Sequence, residues 1–196
     1  MNFCMVTTFY PPANFGGDGL FVQALSRALA ARGHAVTVVY CEDAYRATAG
    51  RPAPAPEVDP LVTVEPLRSR LGLLSPALTQ QLGRPVLKRG ALTAILQRGY
   101  DVVNFHNISL IGGPGVLTIP AAGALKLYTL HEHWLLCTTH VLWQDRVRRC
   151  RSRACLRCAI RSGTPPQAWR LGGFRDRALA SVDALLAPSR FTADLH

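Results

Sequence analysis

Residues 1–40 read MNFCMVTTFYPPANFGGDGLFVQALSRALAARGHAVTVVY, and this stretch decides the fold. Met1 to Thr8 is a short apolar run that opens into the Pro/Gly-rich segment YPPANFGGDG, residues 10–19. Beyond it Leu20, Val22, Leu25, Leu29 and Ala30 recur at helical spacing through Arg32. Gly33 stands at the C′ position, where glycine enters the left-handed conformation without steric cost. His34 then leads into a second apolar run, Ala35 to Tyr40. Strand, Gly-rich loop, helix, glycine and strand make a βαβ unit, whose two strands run parallel.

The same alternation continues outward. Ala47 to Pro60 is rich in Ala, Pro and Gly and is expected as an exposed loop, with a third strand over Val62 to Leu67. Pro76 to Arg98 has helical spacing broken at Gly83, Pro85 and Gly90, which predicts two shorter helices. Asp101 to His106 and Leu125 to Leu130 read as buried strands, Trp169 to Ser181 as a helix, and Ala184 to Ala187 as a last strand. The fold class expected is α/β: a Rossmann-like, doubly wound, mostly parallel sheet over residues 1–196, interrupted by a Cys/Arg-rich insertion at 137–161.

Composition narrows the function classes. With 48% hydrophobic and 17% charged residues over 196 positions, the chain can bury a sizeable core. The most apolar region, Ile108 to Leu136, is cut by glycines, prolines and His131–Glu132–His133, so it does not suit a membrane span. The first ten residues lack the basic start of a secretory signal, and a cytoplasmic protein is expected. Six cysteines in that setting argue against a disulfide scaffold; Cys4 and Cys41 are expected as buried apolar residues. The net charge of +10 rests on Arg, with Lys88 and Lys126 the two lysines. Arg146, Arg148, Arg149, Arg151, Arg153, Arg157 and Arg161 fall in one acid-free segment, which suits nucleic acid, anionic lipid, phosphorylated substrates or a merely solvated surface.

In open α/β sheets ligands gather beyond the carboxyl ends of the strands. After the first strand comes Gly16-Gly17-Asp18-Gly19, which is not GxGxxG and gives a dinucleotide little support. Paired glycines at a helix start admit a substrate or phosphate close to the backbone; a tight turn alone is the competing reading. His106 ends one strand, and His131 with Glu132 and His133 ends another, so two imidazoles arrive at the same edge. HEH at a strand end is not the helical HExxH of zinc proteases. Cys137-x12-Cys150-x4-Cys155-x2-Cys158 has the spacing of a structural zinc site, with an iron–sulfur cluster or four unligated thiols as alternatives.

Four ordered pieces carry a resemblance. FYPPANFGGDGLFVQALSRALAARGHAVTVVY, DVVNFHNIS, LYTLHEHWLLC and VDALLAPSRFTADLH together resemble the N-terminal, acceptor-side domain of family 4 glycosyltransferases. That resemblance implies a GT-B architecture, retention at the anomeric carbon and metal-free chemistry in the cleft between two lobes. It implies that Gly16 and Gly17 lie against the donor phosphates or the transferred sugar. It places His131 beside that sugar as the catalytic residue, with His106 and Glu132 as donor- or acceptor-binding residues, and Ser189 in the family's Ser-x-x motif. A nucleotide-sugar donor, a glycan or lipid-linked acceptor and a role in cell-surface polysaccharide biosynthesis are the partners and setting it implies, with docking on the inner face of an anionic membrane.

A donor lobe with an E-x7-E element is expected after about His196, in cis or in trans, and without it no sugar transfer is expected. Glu57 and Glu65 have E-x7-E spacing, but an extended chain would hold them roughly 26 Å apart, so the match is read as chance. The alternative function is an α/β scaffold with a zinc-knuckle-like nucleic-acid module. It leaves the strand-end motifs unexplained, so nucleic acid is disfavoured as a partner.

Overall fold

A computed structural model of the chain describes residues 1–55, 59–145, 147–150, 155–165 and 167–196. Six parallel strands form the central sheet: β1 (Asn2–Thr7), β2 (Ala35–Cys41), β3 (Thr63–Leu67), β4 (Val102–Phe105), β5 (Leu125–Thr129) and β8 (Ala184–Leu186). Their spatial order is β3-β2-β1-β4-β5-β8. This is the doubly wound Rossmann order, with β8 in the sixth place. Two short strands, β6 (Trp143–Gln144) and β7 (Arg148–Arg149), pair antiparallel in the Cys/Arg-rich segment.

Pleating explains why the strands are apolar without alternation. Along β1, Cys4 and Val6 enter one core, whereas Met5 enters the other. Along β2, Val39 and Cys41 face the first core, and Val36, Val38 and Tyr40 face the second. Strands covered on both faces are apolar at nearly every position. Toward the sheet's edge this fails, since β5, expected as a buried strand, buries only Tyr128, and β8 is exposed throughout. Helix α1 (Gly17–Ala30) closes the second core with Val22, Leu25 and Leu29. Helix α4 (Arg89–Leu96) contributes Leu92, Ile95 and Leu96 to the first core. Cys4 and Cys41 are fully buried there, as small apolar residues.

Several expected boundaries move for identifiable reasons. The glycine and proline breaks of 76–98 do separate two helices, α3 (Leu74–Leu82) and α4, but Gly90 lies inside α4 rather than ending it. Gly83 caps α3 in the left-handed region at φ 65°, and its missing side chain is required twice. A Cβ there would sit 2.7 Å from Trp169, and Gly113 and Gly115 pack directly on the Gly83 backbone. The expected helix 169–181 divides into a 3-10 turn, Ala168–Leu171, and α6 (Phe174–Leu179), with Gly172 and Gly173 between them.

Sequence spacing gave no sign of α2 (Glu42–Ala49), which follows β2 directly. Its first turn buries Glu42 and Asp43, an arrangement that ion pairing makes tolerable. Glu42 pairs with Arg68 at 2.6 Å, and the fully buried Asp43 pairs with Lys88 at 3.0 Å. Lys88 also donates to Ser75, and the Ser69 amide donates to Asp43 at 2.7 Å, so one polar knot joins α2, α3 and the start of α4. Glu57 lies outside the described residues, whereas Glu65 lies on β3, paired with Arg98 at 2.5 Å. Helix α5 (Cys155–Arg161) and α7 (Arg190–Leu195) complete the chain. Among the described residues no helix is long and apolar enough to cross a membrane.

Candidate functional site: a cleft at the strand switch point

Strand order reverses direction of growth between β1 and β4, so the loops leaving these two strands diverge and open a crevice. A cleft of about 1130 Å³ occupies that place. Gly16, Gly17 and Asp18 from the start of α1 line it, together with Asn107 after β4 and His131 and Glu132 after β5. The expected convergence of the glycine turn and His131 is therefore a feature of the structure.

The polar groups at the switch point hold one another in place. Asn107 donates to the Asp18 carboxylate at 2.8 Å, while its own side-chain oxygen accepts from the Ser109 hydroxyl at 2.6 Å and amide at 3.1 Å. The Thr8 amide donates to the Asn107 carbonyl at 2.6 Å, and the buried Thr8 hydroxyl accepts from the Leu110 amide. The ends of β1 and β4 are thereby tied to the first turn of α1, where a carboxylate also complements the helix dipole. Gly16 is extended (φ −148°) and forms the N-cap. A Cβ on Gly17 would meet no protein atom within 4 Å, whereas one on Gly19 would fall 2.3 Å from the Asn14 side chain and 3.0 Å from the Phe9 carbonyl. Gly19 is thus a packing requirement, and Gly17 leaves space on the cleft side.

His106 and His131 meet ring to ring. His106 Nδ1 lies 3.0 Å from His131 Nε2, and Phe21 of α1 stands edge-on to His131 with centroids 5.1 Å apart. His106 is fully buried beneath its partner, and its Nε2 has no hydrogen-bond partner among the described residues. Burial, reinforced by the neighbouring His131, lowers the His106 pKa to about 3. His131 is lowered by its own burial, with Asp18 and Glu132 pulling the other way. Both rings are neutral at neutral pH, so His131 presents hydrogen-bonding nitrogens rather than a charge.

The outer wall comes from the Cys/Arg-rich segment. Thr138, Thr139, His140 and Trp143 face the cleft, and His140 Nδ1 contacts the Glu132 carboxylate at 2.7 Å. Aromatic surfaces with interspersed amides and hydroxyls suit the apolar ring faces and hydroxyl edges of sugars. Sequence reasoning did not find Asp18, Asn107, Phe21 or Trp143. Asn107 had a signal in its position immediately after His106; Trp143 had none, because it arrives from another part of the chain.

The remaining expected site residues separate from the cleft. Ser189 caps α7, accepting from the Thr192 amide at 3.2 Å, and is not among the cleft's lining residues. Cys137, Cys150, Cys155 and Cys158 surround a second, small cavity and form no disulfide. Burial alone would raise the Cys137 thiol, but hydrogen bonds from the Thr139 side chain and from the backbone of Thr139, Leu142 and Val141 bring it below its ordinary value. Of the basic segment, Arg146, Arg151 and Arg153 lie outside the described residues, and Arg148, Arg149, Arg157 and Arg161 are exposed.

The sequence model of Glycosyltransferase Family 4 matches residues 15–196. The chain belongs to that family. Within this family 4 glycosyltransferase domain the parallel sheet, its switch-point cleft and a glycosyltransferase-type function agree. Donor and acceptor substrates of some kind are implied for it. No curated protein is significantly similar to the domain.

Proposed function

We propose that this family 4 domain is the acceptor-side lobe of a retaining GT-B glycosyltransferase, moving a sugar from a nucleotide-sugar to a glycan or lipid-linked acceptor. The observation that carries the proposal is one cleft bringing the open side of Gly17 and the neutral ring of His131 to the same rim. At about 1130 Å³ the cleft has room for a saccharide.

In the reaction, the bond from the anomeric carbon to the donor phosphate oxygen breaks. The bond to the acceptor oxygen forms, and the acceptor proton departs on the phosphate. His131 hydrogen-bonds the sugar as charge develops, which a preorganised neutral donor does without solvent reorganisation. Gly16 and Gly17 let the donor approach the α1 backbone, whose N–H groups point outward. Glu132 orients His140 beside the acceptor. A donor-binding lobe, in cis or in trans, completes the cleft. The exposed Arg148, Arg149 and Arg157 suit docking of the enzyme on an anionic membrane at its cytoplasmic face. The nucleic-acid reading of the Arg/Cys segment leaves the switch-point cleft unexplained.

Two measurements test the proposal. Titration of the chain with neutral oligosaccharides and with nucleotide-sugars, followed by NMR, is expected to move the amides of Gly16, Gly17, Asp18 and His131. With the donor lobe present, His131→Ala is expected to lower kcat by about 100-fold or more while the fold is kept. Shifts confined to other surfaces, or full transfer by His131→Ala, would overturn it.

A further inference from the structure

We propose that Cys137, Cys150, Cys155 and Cys158 build a tetrathiolate zinc site, whose ion fixes the outer wall of the cleft. Four cysteines from three separate places in the chain line one cavity of about 30 Å³. They come from the segment after β5, the residue closing β7, and both ends of a CxxC turn in α5. That volume exceeds the roughly 10–15 Å³ needed by a single water-sized occupant. It admits a single ion among the four sulfurs. Soft thiolates in a tetrahedral set select zinc among common divalent ions.

The surroundings anticipate a charged centre. The Asp145 amide donates to the Cys158 sulfur at 3.3 Å, and the Thr139 hydroxyl lies 3.2 Å from the Cys137 sulfur. The Arg170 guanidinium, stacked on Trp169 at 4.2 Å and Trp134 at 5.1 Å, buries an Nη2 that has no partner among the described residues. Zinc with four thiolates carries a net charge of −2, of which this guanidinium would offset half. His140, Leu142 and Asp145 all take positive φ (68°, 54° and 53°) without being glycine, in the turn between the first two cysteines. Such backbone is costly and persists where its surroundings over-determine it; a four-point cross-link supplies that constraint.

Among the described residues no three His, Cys, Asp or Glu groups are already drawn together for an ion. Closing the site on an ion therefore requires the four thiols that line the cavity to converge by side-chain rotation. Binding replaces four thiol protons with one Zn²⁺ and releases the protons to solvent.

The site's position gives it a consequence. Thr138 and Trp143 line both the thiol cavity and the large cleft, so the ion sits directly behind the cleft wall. The metal assignment stands independently of sugar transfer; only the wall's importance for substrate rests on that reading.

Protein purified without a polyhistidine tag is expected to carry one zinc per chain. After chelation, Co²⁺ reconstitution is expected to give the thiolate-to-cobalt charge-transfer and d–d bands of a tetrahedral sulfur site. Cys155→Ser with Cys158→Ser is expected to abolish both. Hydrogen exchange of residues 138–144 is expected to rise at least tenfold on chelation, with β1 and β2 unchanged, which also shows that the sheet stays folded. Absence of stoichiometric metal together with absence of cobalt bands in the wild-type chain overturns the site, and iron with inorganic sulfide overturns the choice of zinc. Equal exchange in residues 138–144 with and without metal overturns the link to the cleft.

Discussion

His106 Nδ1 stands 3.0 Å from His131 Nε2, joining a buried imidazole after β4 to a cleft-facing one after β5. An unpaired buried N–H costs more than an unpaired lone pair, and His106 Nε2 is buried without a partner among the described residues. The favoured arrangement therefore places the His106 proton on Nδ1, donating to His131 Nε2. His131 must then keep its own proton on Nδ1, the nitrogen not committed to His106. His106 is in this sense a positioning residue. We expect imidazole 15N NMR to find His131 in a single tautomer. His106→Phe should leave a mixture, whereas His106→Gln, whose amide still donates, should retain one form. A single His131 tautomer in His106→Phe would remove the basis for the positioning role.

The same burial predicts how stability depends on pH. Folded His106 accepts a proton only near pH 3, against 6.5 for an ordinary histidine. Between those values the unfolded chain binds the extra proton, so the contribution is fully present above about pH 6.5 and lost as pH falls. Each pH unit within the window costs up to about 1.4 kcal/mol from this group. Urea midpoints measured between pH 7 and pH 4.5 should fall less steeply in His106→Phe than in the wild type. Some slope remains, because burial lowers His131 and His196 as well. Parallel midpoint curves for the two proteins would contradict the assignment.

Gly17 and Gly19 allow the proposed ligand approach to be separated from a packing requirement within one turn. Space is open around a Gly17 Cβ, whereas a Gly19 Cβ collides with Asn14 and the Phe9 carbonyl. Gly17→Ala should leave thermal stability within about 0.5 kcal/mol of the wild type while weakening saccharide or nucleotide-sugar binding. Gly19→Ala should lose about 1–3 kcal/mol through overpacking. Calorimetry and ligand titration on the two variants distinguish the roles; unaltered binding in Gly17→Ala would count against close ligand approach at this turn.

How much of this was legible in the chain depended on whether the deciding partner was local. The Val102–Phe105 run could be read because it is buried on both faces of the sheet, so local composition carries the message. Leu125–Thr129 could be read as a strand but not as a buried one, since only Tyr128 is buried there. The glycine turn and the two histidines could be located because function collects at one named end of each strand. Helix α2 was not legible. Its opening Glu-Asp looks solvated, and only Arg68 and Lys88, 26 and 45 positions further on, make it buriable. The cleft's outer wall was hidden similarly, since nothing near Trp143 in sequence indicates that it lines the same cleft as Gly17. Ser189 shows a motif position whose local role, capping α7, is visible in the structure.

The Lys88–Asp43 pair gives the sharpest stability prediction, because both side chains are only 1% exposed. Attraction between them is offset by the desolvation of two ions, so the intact pair contributes little net stability. Removing one member is different: Lys88→Met leaves the Asp43 carboxylate buried with the Ser69 amide and no cation, and should cost about 3–5 kcal/mol. Adding Asp43→Asn removes that charge while still accepting from Ser69, so the double variant should recover more than half of the loss. Guanidinium unfolding of the wild type and the three variants closes the cycle. A double variant no more stable than Lys88→Met would mean that packing of the lysine stem, rather than the stranded charge, carries the penalty.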